Sequence, residues 1–176
     1  MDKIVRFKVG DKLVDSTYVY RVIKIKIAKV FGGNREKCLF YEPFFRNDKC
    51  NSLICSLPAS NIMEANLRKP VTQKRIRDTL KLLGKRKNGE TKISFSEADS
   101  FLKENDPLET AKLIRLLWFE KQSEDKSLST RKKNLYENSL RHLIEEVSIV
   151  QKISIKKAEN KIKRRLKKFS PVLGHL

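Results

Sequence analysis

Two helices and the turn between them are encoded in residues 108–149, LETAKLIRLLWFEKQSEDKSLSTRKKNLYENSLRHLIEEVSI. Apolar residues recur there at intervals of three and four, which places them on one face of an α-helix. Asp106-Pro107 is a strong N-cap and first-turn pair, so we expect the first helix to begin there and to run to about Ser123. After a charged turn, Ser129 is suited to cap a second helix that runs to about Gln151.

Three further helices are predicted around this pair. Pro70 can occupy the first turn of a helix that ends at Gly84, and Ser94 with Glu97 has capping-box spacing for a helix over about 95–104. Ser154 is suited to cap the last helix. The apolar face of the first of these helices contains Ile76, Leu80 and Leu83, and the stripe of the last contains Ile155, Ala158, Ile162, Leu166 and Phe169.

Residues 4–62 have the pattern of β-strands instead. Apolar and polar side chains alternate with period two from Val5 to Val9 and from Val19 to Ile27, as they do in half-buried strands. Gly32-Gly33-Asn34 is suited to a hairpin turn that needs positive φ. Further strands are expected over Cys38–Phe45 and from Ser52 to Leu57, where Pro58 ends the run. Four or five short antiparallel strands fit a small curled sheet or barrel.

Composition excludes several classes of protein. No run of about 18 apolar residues occurs, and the first residues lack the apolar core of a signal peptide, so we expect a cytoplasmic protein without a membrane span. Cys38, Cys50 and Cys55 are an odd number without metal-ligand spacing; Cys50 and Cys55 could meet across a hairpin, but buried free thiols are favoured. With His142 and His175 as the sole histidines, we expect no metal, no cofactor and no enzyme.

The positive charge is unevenly distributed. The chain of 176 residues has a formal net charge of +19; its first 67 residues contain 12 basic and 7 acidic residues, and the remaining 109 contain 28 and 14. The helical part therefore carries +14 of the +19. Such a field favours a polyanionic partner, and nucleic acid is the first candidate in the cytoplasm.

Three basic segments could form the binding surface. Residues 68–87 contain nine cations and few acids, whereas a merely solvated face usually mixes both signs. Arg131, Lys132 and Lys133 lie in the first turn of a helix, where cations oppose the macrodipole and so suggest a ligand. Residues 152–168 contain nine basic residues and one acid, Glu159. For each segment an ordinary solvated surface stays an alternative, and for the last so do a membrane surface and a protein partner.

The helical motif resembles the C-terminal domain of the CarD/CdnL family, bacterial transcription regulators that bind RNA polymerase. The matching features are Leu-Trp at the end of one helix, a polar loop, Leu128-Ser129 at the start of the next, then Lys133 and Leu135, continuing through Ser139, Leu143, Glu146 and Val147. At the N-terminus, Phe7-Lys8-Val9-Gly10-Asp11 with Leu13-Val14 is similar to the first strand of the family's polymerase-interacting domain. This resemblance implies a Tudor-like β fold and a DNA-phosphate role for Lys133.

The sequence departs from the family pattern in both halves. The position of the family's minor-groove Trp wedge falls on Thr91, which leaves phosphate contact and shape readout without a wedge. Ala28 and Ser56 stand where the family has arginines that meet the polymerase β subunit. The nearby basic residues that could replace them are Lys26, Lys29, Arg46 and Lys49. Pairing through a sheet edge needs backbone groups alone and tolerates such changes.

We therefore predict an α+β protein with a Tudor-like small β-barrel at 1–66 and a basic helical domain of about five helices at 68–170. The expected function is regulation of transcription: the first domain binds the RNA polymerase β subunit, and the second binds promoter DNA and modulates open-complex stability. The alternative is an architectural DNA- or RNA-binding protein that acts without polymerase. We expect a monomer associated with the nucleoid. The predicted DNA-binding residues are Lys85, Arg86, Lys87, Lys92, Arg131, Lys132 and Lys133.

Overall fold

The chain forms two compact units, Met1–Pro70 and Val71–Leu176. A computed structural model describes residues 7–30, 33–45, 53–62, 64–85, 94–122 and 128–168 of them. The first unit contains a four-stranded antiparallel sheet and the second contains five α-helices, so the predicted α+β class is confirmed. We refer to them as the β unit and the helical unit.

The β unit is a meander in which each strand pairs with the next one in the chain. Its strands are β1 (Lys12–Val14), β2 (Val19–Lys29), β3 (Arg35–Pro43) and β4 (Cys55–Pro58). The inner face of the sheet buries Leu13, Tyr20, Val22 and Leu39, with Leu67 packed against them. Burial of one such aliphatic side chain contributes about 1.5–3 kcal/mol, and apolar pairs across the strands hold the register.

A bulge in β2 changes which side chains face this core. The register shifts between Val22 and Lys24, which leaves Ile23 as an extra residue. The alternation therefore moves by one position, so that Ile25 packs on the same core as Val22. The strand predicted from Val19 is confirmed, but its uninterrupted alternation is wrong. At the far end of the strand, Ile27 is 64% exposed.

The first strand lies later in the chain than predicted. Val5 is outside the described residues, and residues 7–11 form a turn before β1 begins at Lys12. In this turn the Asp11 carboxylate accepts the backbone N–H of Lys8 at 3.0 Å, and Gly10 has a φ of +90°. Glycine reaches that φ without steric strain, so the sequence favours a turn over a continuous strand.

The turn predicted between β2 and β3 is confirmed where it is described. Gly33 has a φ of +85°, and its N–H donates to the carbonyl of Val30 at 3.0 Å. Gly32 is outside the described residues. The next strand begins at Arg35, before the predicted Cys38, because the hairpin pairs up to the turn itself.

The helical unit contains α1 (Gln73–Leu83), α2 (Phe95–Lys103), α3 (Pro107–Gln122), α4 (Thr130–Gln151) and α5 (Ile155–Lys167). Ser129 and Ser154 cap α4 and α5 as predicted, accepting the backbone N–H groups of Lys132 and Lys157. The predicted capping box is also confirmed, because Ser94 and Glu97 each accept the other's backbone N–H, at 2.9 and 3.2 Å.

The start of α1 differs from the prediction. Thr72, rather than a residue before Pro70, is the N-cap, and its hydroxyl accepts the N–H of Arg75 at 3.3 Å. Pro70 therefore precedes the helix instead of lying in its first turn. A threonine hydroxyl satisfies an otherwise unpaired donor, which proline cannot do, so the cap decides where the helix begins.

All the predicted apolar faces that lie in the described range meet in one core. The face of α1 (Ile76, Leu80, Leu83) and that of α5 (Ala158, Ile162, Leu166) are buried against residues of α3 and α4. Leu113, Ile114, Leu117, Leu143 and Val147 are fully buried at its centre. Phe169, predicted to continue the stripe of α5, is outside the described residues.

Candidate nucleic-acid interface

The later residues of the α4 motif lie in the core. Ser139, Leu143, Glu146 and Val147 are each at most 2% exposed. A carboxylate oxygen of Glu146 accepts the backbone N–H of Val71 at 3.1 Å. A buried carboxylate is tolerated when it is hydrogen-bonded, and here the bond holds the first residue of the helical unit against α4. These residues therefore maintain the fold and are not available to a ligand.

Trp118 has the packing role that its spacing predicts. Ala111 and Ile114, which share its face of α3, are fully buried, and Trp118 itself is half-buried against the same core. Its ring stacks on Tyr136 of α4, with 6.5 Å between the ring centroids. Burial raises the pKa of Tyr136 to about 12, so its hydroxyl stays protonated at neutral pH.

The first turn of α4 separates its three cations. Arg131 and Lys133 are exposed, whereas Lys132 turns toward α3. There its ammonium group forms an ion pair with Glu120 at 2.6 Å, and the two side chains are only 19% and 16% exposed. A phosphate would have to compete with Glu120 for Lys132. The surface at this helix end is therefore defined by Arg131 and Lys133.

Much of the basic segment at α1 is paired with acids. Arg75 forms an ion pair with Asp106, the residue before α3, and this hydrogen bond raises the pKa of Arg75. Lys81 lies 3.4 Å from Asp78, one turn earlier on the same helix. The net positive charge at the surface of α1 is therefore smaller than a count along residues 68–87 indicates. Such a count leaves out Asp106, which is distant in the chain but pairs with Arg75.

The end of α1 brings together three basic residues. Lys85 is exposed, and its carbonyl accepts a guanidinium N–H of Arg115 from α3 at 3.2 Å. Burial lowers the pKa of Arg115. Arg165 of α5 is also close, because a Cβ on Gly84 would lie 3.4 Å from its Cδ. Of the DNA-binding residues predicted here, Lys85 alone is described; Arg86, Lys87 and Lys92 are outside the described residues.

An open groove lies beside α5, and the predicted DNA-binding residues did not include it. Its volume is about 380 Å³, and the residues that line it are Ile153, Lys157, Asn160, Lys161 and Arg164. Lys161 donates to the side-chain oxygen of Gln151 at 2.7 Å. The spacing of 157, 161 and 164 is that of one helix face, so the signal was present in the sequence. The groove was missed because further cations, among them Lys156, Lys163 and Arg165, occupy the rest of the exposed side of α5.

Within the described ranges, no three His, Cys, Asp or Glu side chains are grouped so as to hold a metal ion. None of the described helices combines the length and the apolar composition that crossing a membrane requires.

A comparison with known families identifies this unit. The profile described as CarD, C-terminal domain, matches residues 75–163, which is 89 of the 176 residues. The chain belongs to the CarD family. The predicted membership is confirmed, and with it a role related to transcription, since this is a family of transcription factors that interact with RNA polymerase. A comparison with curated proteins finds no match.

The match to the CarD family lies within the helical unit, and the β unit is outside it. The matched range includes Thr91, the position that we predicted to correspond to the family's Trp wedge, but Thr91 is not among the described residues. Within the described part of the match, the half-buried Trp118 stacks on Tyr136, so this tryptophan packs within the helical unit.

In the β unit of this CarD-family chain, two of the predicted polymerase-binding residues are described. Lys26 is exposed on β2, and its ammonium group lies over the ring of Phe40, 4.9 Å from the centroid. Lys29 is exposed at the end of β2, opposite Arg35. Arg46 and Lys49 are outside the described residues. Ala28, which stands where the family is expected to have an arginine, lies opposite Glu36 on β3. Its methyl side chain provides no cation there.

Proposed function

We propose that this protein regulates transcription by binding the RNA polymerase β subunit through its β unit and promoter DNA through its helical unit. Membership of the CarD family supports the general role. The observation that carries the DNA-binding part is the exposure of Arg131 and Lys133 at the start of α4. A cation at a helix N-terminus is unfavourable by about 0.3–1 kcal/mol, so a phosphate bound beside Lys133 would offset a cost that the helix macrodipole imposes on this residue.

The neighbouring residue strengthens this argument. Lys132 has an acid partner in Glu120, which offsets the same unfavourable placement within the fold. Arg131 and Lys133, on either side of Lys132 in the chain, are exposed. Phosphate contacts of this kind position a protein on DNA without reading its sequence. We therefore expect affinity for duplex DNA that depends strongly on salt and weakly on base sequence.

The polymerase contact is proposed for the β unit. In the strand order β4 is at one end, and an edge strand can pair with another chain through backbone groups. At the other end, β1 is already bridged to Arg68 through the backbone of Val14. Lys26 and Lys29 lie on β2 and supply positive charge to a partner. Backbone pairing would supply affinity, and the cations would supply orientation and rate of association.

Regulation requires no chemical step. A protein that binds the open promoter complex more tightly than the closed one shifts the equilibrium by the ratio of the two affinities. When the protein is bound to polymerase, the effective concentration of its DNA-binding surface near the promoter is raised, and DNA binding has the same effect on the polymerase contact. The helical unit would then hold duplex DNA beside the melted region, without a wedge at Thr91.

Footprinting of a polymerase–promoter complex, with and without the full-length protein, tests the proposal. We expect added protection of duplex DNA next to the melted region and a longer lifetime of the open complex. Unchanged protection with wild-type protein bound to polymerase would contradict the DNA-binding part.

Capture of the purified β subunit by the full-length protein tests the other part. Lys26→Gln/Lys29→Gln should weaken capture, whereas Lys8→Gln/Lys37→Gln removes the same charge from other exposed positions of the β unit and should not. If the wild-type protein binds DNA but captures no β subunit, the chain is instead an architectural nucleic-acid-binding protein. Ala28 and Ser56 stand where the family is expected to have arginines that bind the β subunit, and the loss of these two arginines favours that alternative.

A further inference from the structure

Three cations of α5 point into one groove. Lys157, Lys161 and Arg164 line it with Asn160 and Ile153, over a volume of about 380 Å³. These cations occupy successive turns of one face, about 5.4 Å apart along the axis. Among these described lining residues none is acidic, and the one acid of α5, Glu159, is paired at 2.5 Å with Lys163 outside the groove.

The groove is also ordered from its far side. Gln151, at the end of α4, accepts a hydrogen bond from Lys161 at 2.7 Å, which restrains a side chain that would otherwise be free to rotate. An amide oxygen can hold an ammonium group without neutralising it. Lys161 thus has an uncharged amide as its partner, whereas Lys132 is paired with the carboxylate of Glu120.

We propose that this groove binds the phosphate backbone of duplex DNA, as a second contact separate from Arg131 and Lys133. The inference rests on the proposed function in that it assumes DNA as the partner of the helical unit. A row of cations with hydrogen-bond donors beside it matches a row of phosphates in charge and in chemistry. The described lining includes no aromatic ring, so it offers no platform for stacking unpaired bases, which favours duplex DNA over single strands.

A membrane surface is a poorer partner for α5. A helix that lies in a membrane interface inserts a free apolar face. The apolar face of α5 is not free, because Ala158, Ile162 and Leu166 are at most 2% exposed within the core of the helical unit. The exposed side of the helix is charged and has little apolar area. Its charge can bind a phosphate backbone, but it gives a lipid acyl chain no apolar surface to contact.

The test compares two charge-matched double variants of the full-length protein. Lys161→Gln/Arg164→Gln removes two cations from the groove, and Lys156→Gln/Lys163→Gln removes two from the other flank of α5. Binding to a labelled duplex is measured over a series of salt concentrations, and folding is checked by thermal unfolding. We expect the groove variant to bind on the order of tenfold more weakly, with a salt slope lower by about 1.8, while the flank variant changes the slope by about 0.5 at most.

A third variant separates failure of this inference from failure of the proposed function. Arg131→Gln/Lys133→Gln tests the start of α4 alone. If this variant weakens binding and the groove variant behaves like the flank variant, the groove is not a DNA contact and the proposed function stands. If the wild-type protein does not bind the duplex at all, both are wrong.

A substitution that deletes no contact guards against misfolding. Asn160 is exposed in the groove, and Asn160→Glu places a carboxylate among its cations without removing a core residue. We expect weaker duplex binding than for Gln73→Glu, which makes the same charge change at an exposed position of α1. Equal binding by these two variants would overturn the groove assignment.

Discussion

At its first turn, α4 carries Arg131 and Lys133 on the surface, whereas about four turns later it carries Glu145 and Glu146 inside the core. Each set of charges is costly where it stands. Glu146 is tolerated because its carboxylate accepts the backbone N–H of Val71. Among the cations, Lys132 pairs with Glu120, and we propose that the exposed Arg131 and Lys133 contact DNA. One end of the helix thus stabilises the fold, and the other is suited to a partner.

The largest effect is expected from the buried end. Glu146→Ala leaves the N–H of Val71 without this acceptor and opens a cavity, so we expect the free energy of unfolding to fall by about 3 kcal/mol. Glu146→Gln retains an oxygen acceptor and should lose less than half of that. Urea unfolding measures both. If Glu146→Ala weakened DNA binding without lowering stability, the division between the two ends of α4 would be wrong.

Adjacent residues at the exposed end provide the next test. If Lys133 contacts a phosphate, Lys133→Gln should lower the salt slope of duplex binding by about 1, and it should raise stability by about 0.3–1 kcal/mol because it removes a cation from a helix N-terminus. Lys132→Gln should do the reverse: it breaks the ion pair with Glu120, lowers stability by about 0.5–1 kcal/mol, and leaves the slope as it was. Salt titrations of duplex binding measure the slopes of both variants, and urea unfolding measures their stabilities. Equal slopes for the two variants would remove the distinction between them.

The cap of α4 can be weakened without changing any charge. Ser129→Ala removes the hydroxyl that accepts the N–H of Lys132, at a cost of about 1 kcal/mol in stability. Because Arg131 and Lys133 depend on this turn for their placement, we expect a small loss of DNA affinity, about threefold at most, which is well below the loss from their removal. Ser129→Asn serves as the control, since it restores a cap without adding a charge. Unfolding midpoints measure the cap, and duplex titration measures the placement.

The smallest effect is expected at a paired cation of the β unit. The ion pair with Lys69, at 3.0 Å, lowers the pKa of the Asp11 carboxyl below its ordinary value. Because the pKa in the folded state is lowered, the pair stabilises the fold above the ordinary aspartate range, and this contribution is lost as pH falls through the lowered value. Titration of Asp11 by NMR should show a higher pKa in Lys69→Gln. An unchanged pKa would exclude Lys69 as its cause.

Helix positions were predictable because short-range chemistry determines them. Ser129, Ser154 and the Ser94–Glu97 pair cap the helices that they were expected to cap, and the apolar faces of α1 and α5 enter the core. The start of α1 was predicted wrongly because both Pro70 and Thr72 are residues typical of helix starts. Thr72 caps the helix through a hydrogen bond that the presence of Pro70 concealed.

The β unit was harder to predict in detail because register depends on the partner strand. The bulge at Ile23 exchanges the two sides of β2, and the alternation of residues within β2 carries no sign of it. The same holds for surface charge. The pairing of Lys132 with Glu120 joins residues of different helices, so a count along the chain treats all three cations of that turn as equivalent.

The sequence by itself determined the α+β order, the caps, the buried stripes, the excess of positive charge in the helical part and the resemblance to the CarD family. These features depend on residues a few positions apart or on composition. Only the tertiary structure decided which cations have acid partners, where β2 changes sides, and that Lys157, Lys161 and Arg164 line one groove in which Lys161 is hydrogen-bonded to Gln151. The physical reason is that electrostatic pairing and burial depend on distances in space, which residues far apart in the chain set only when they pack together.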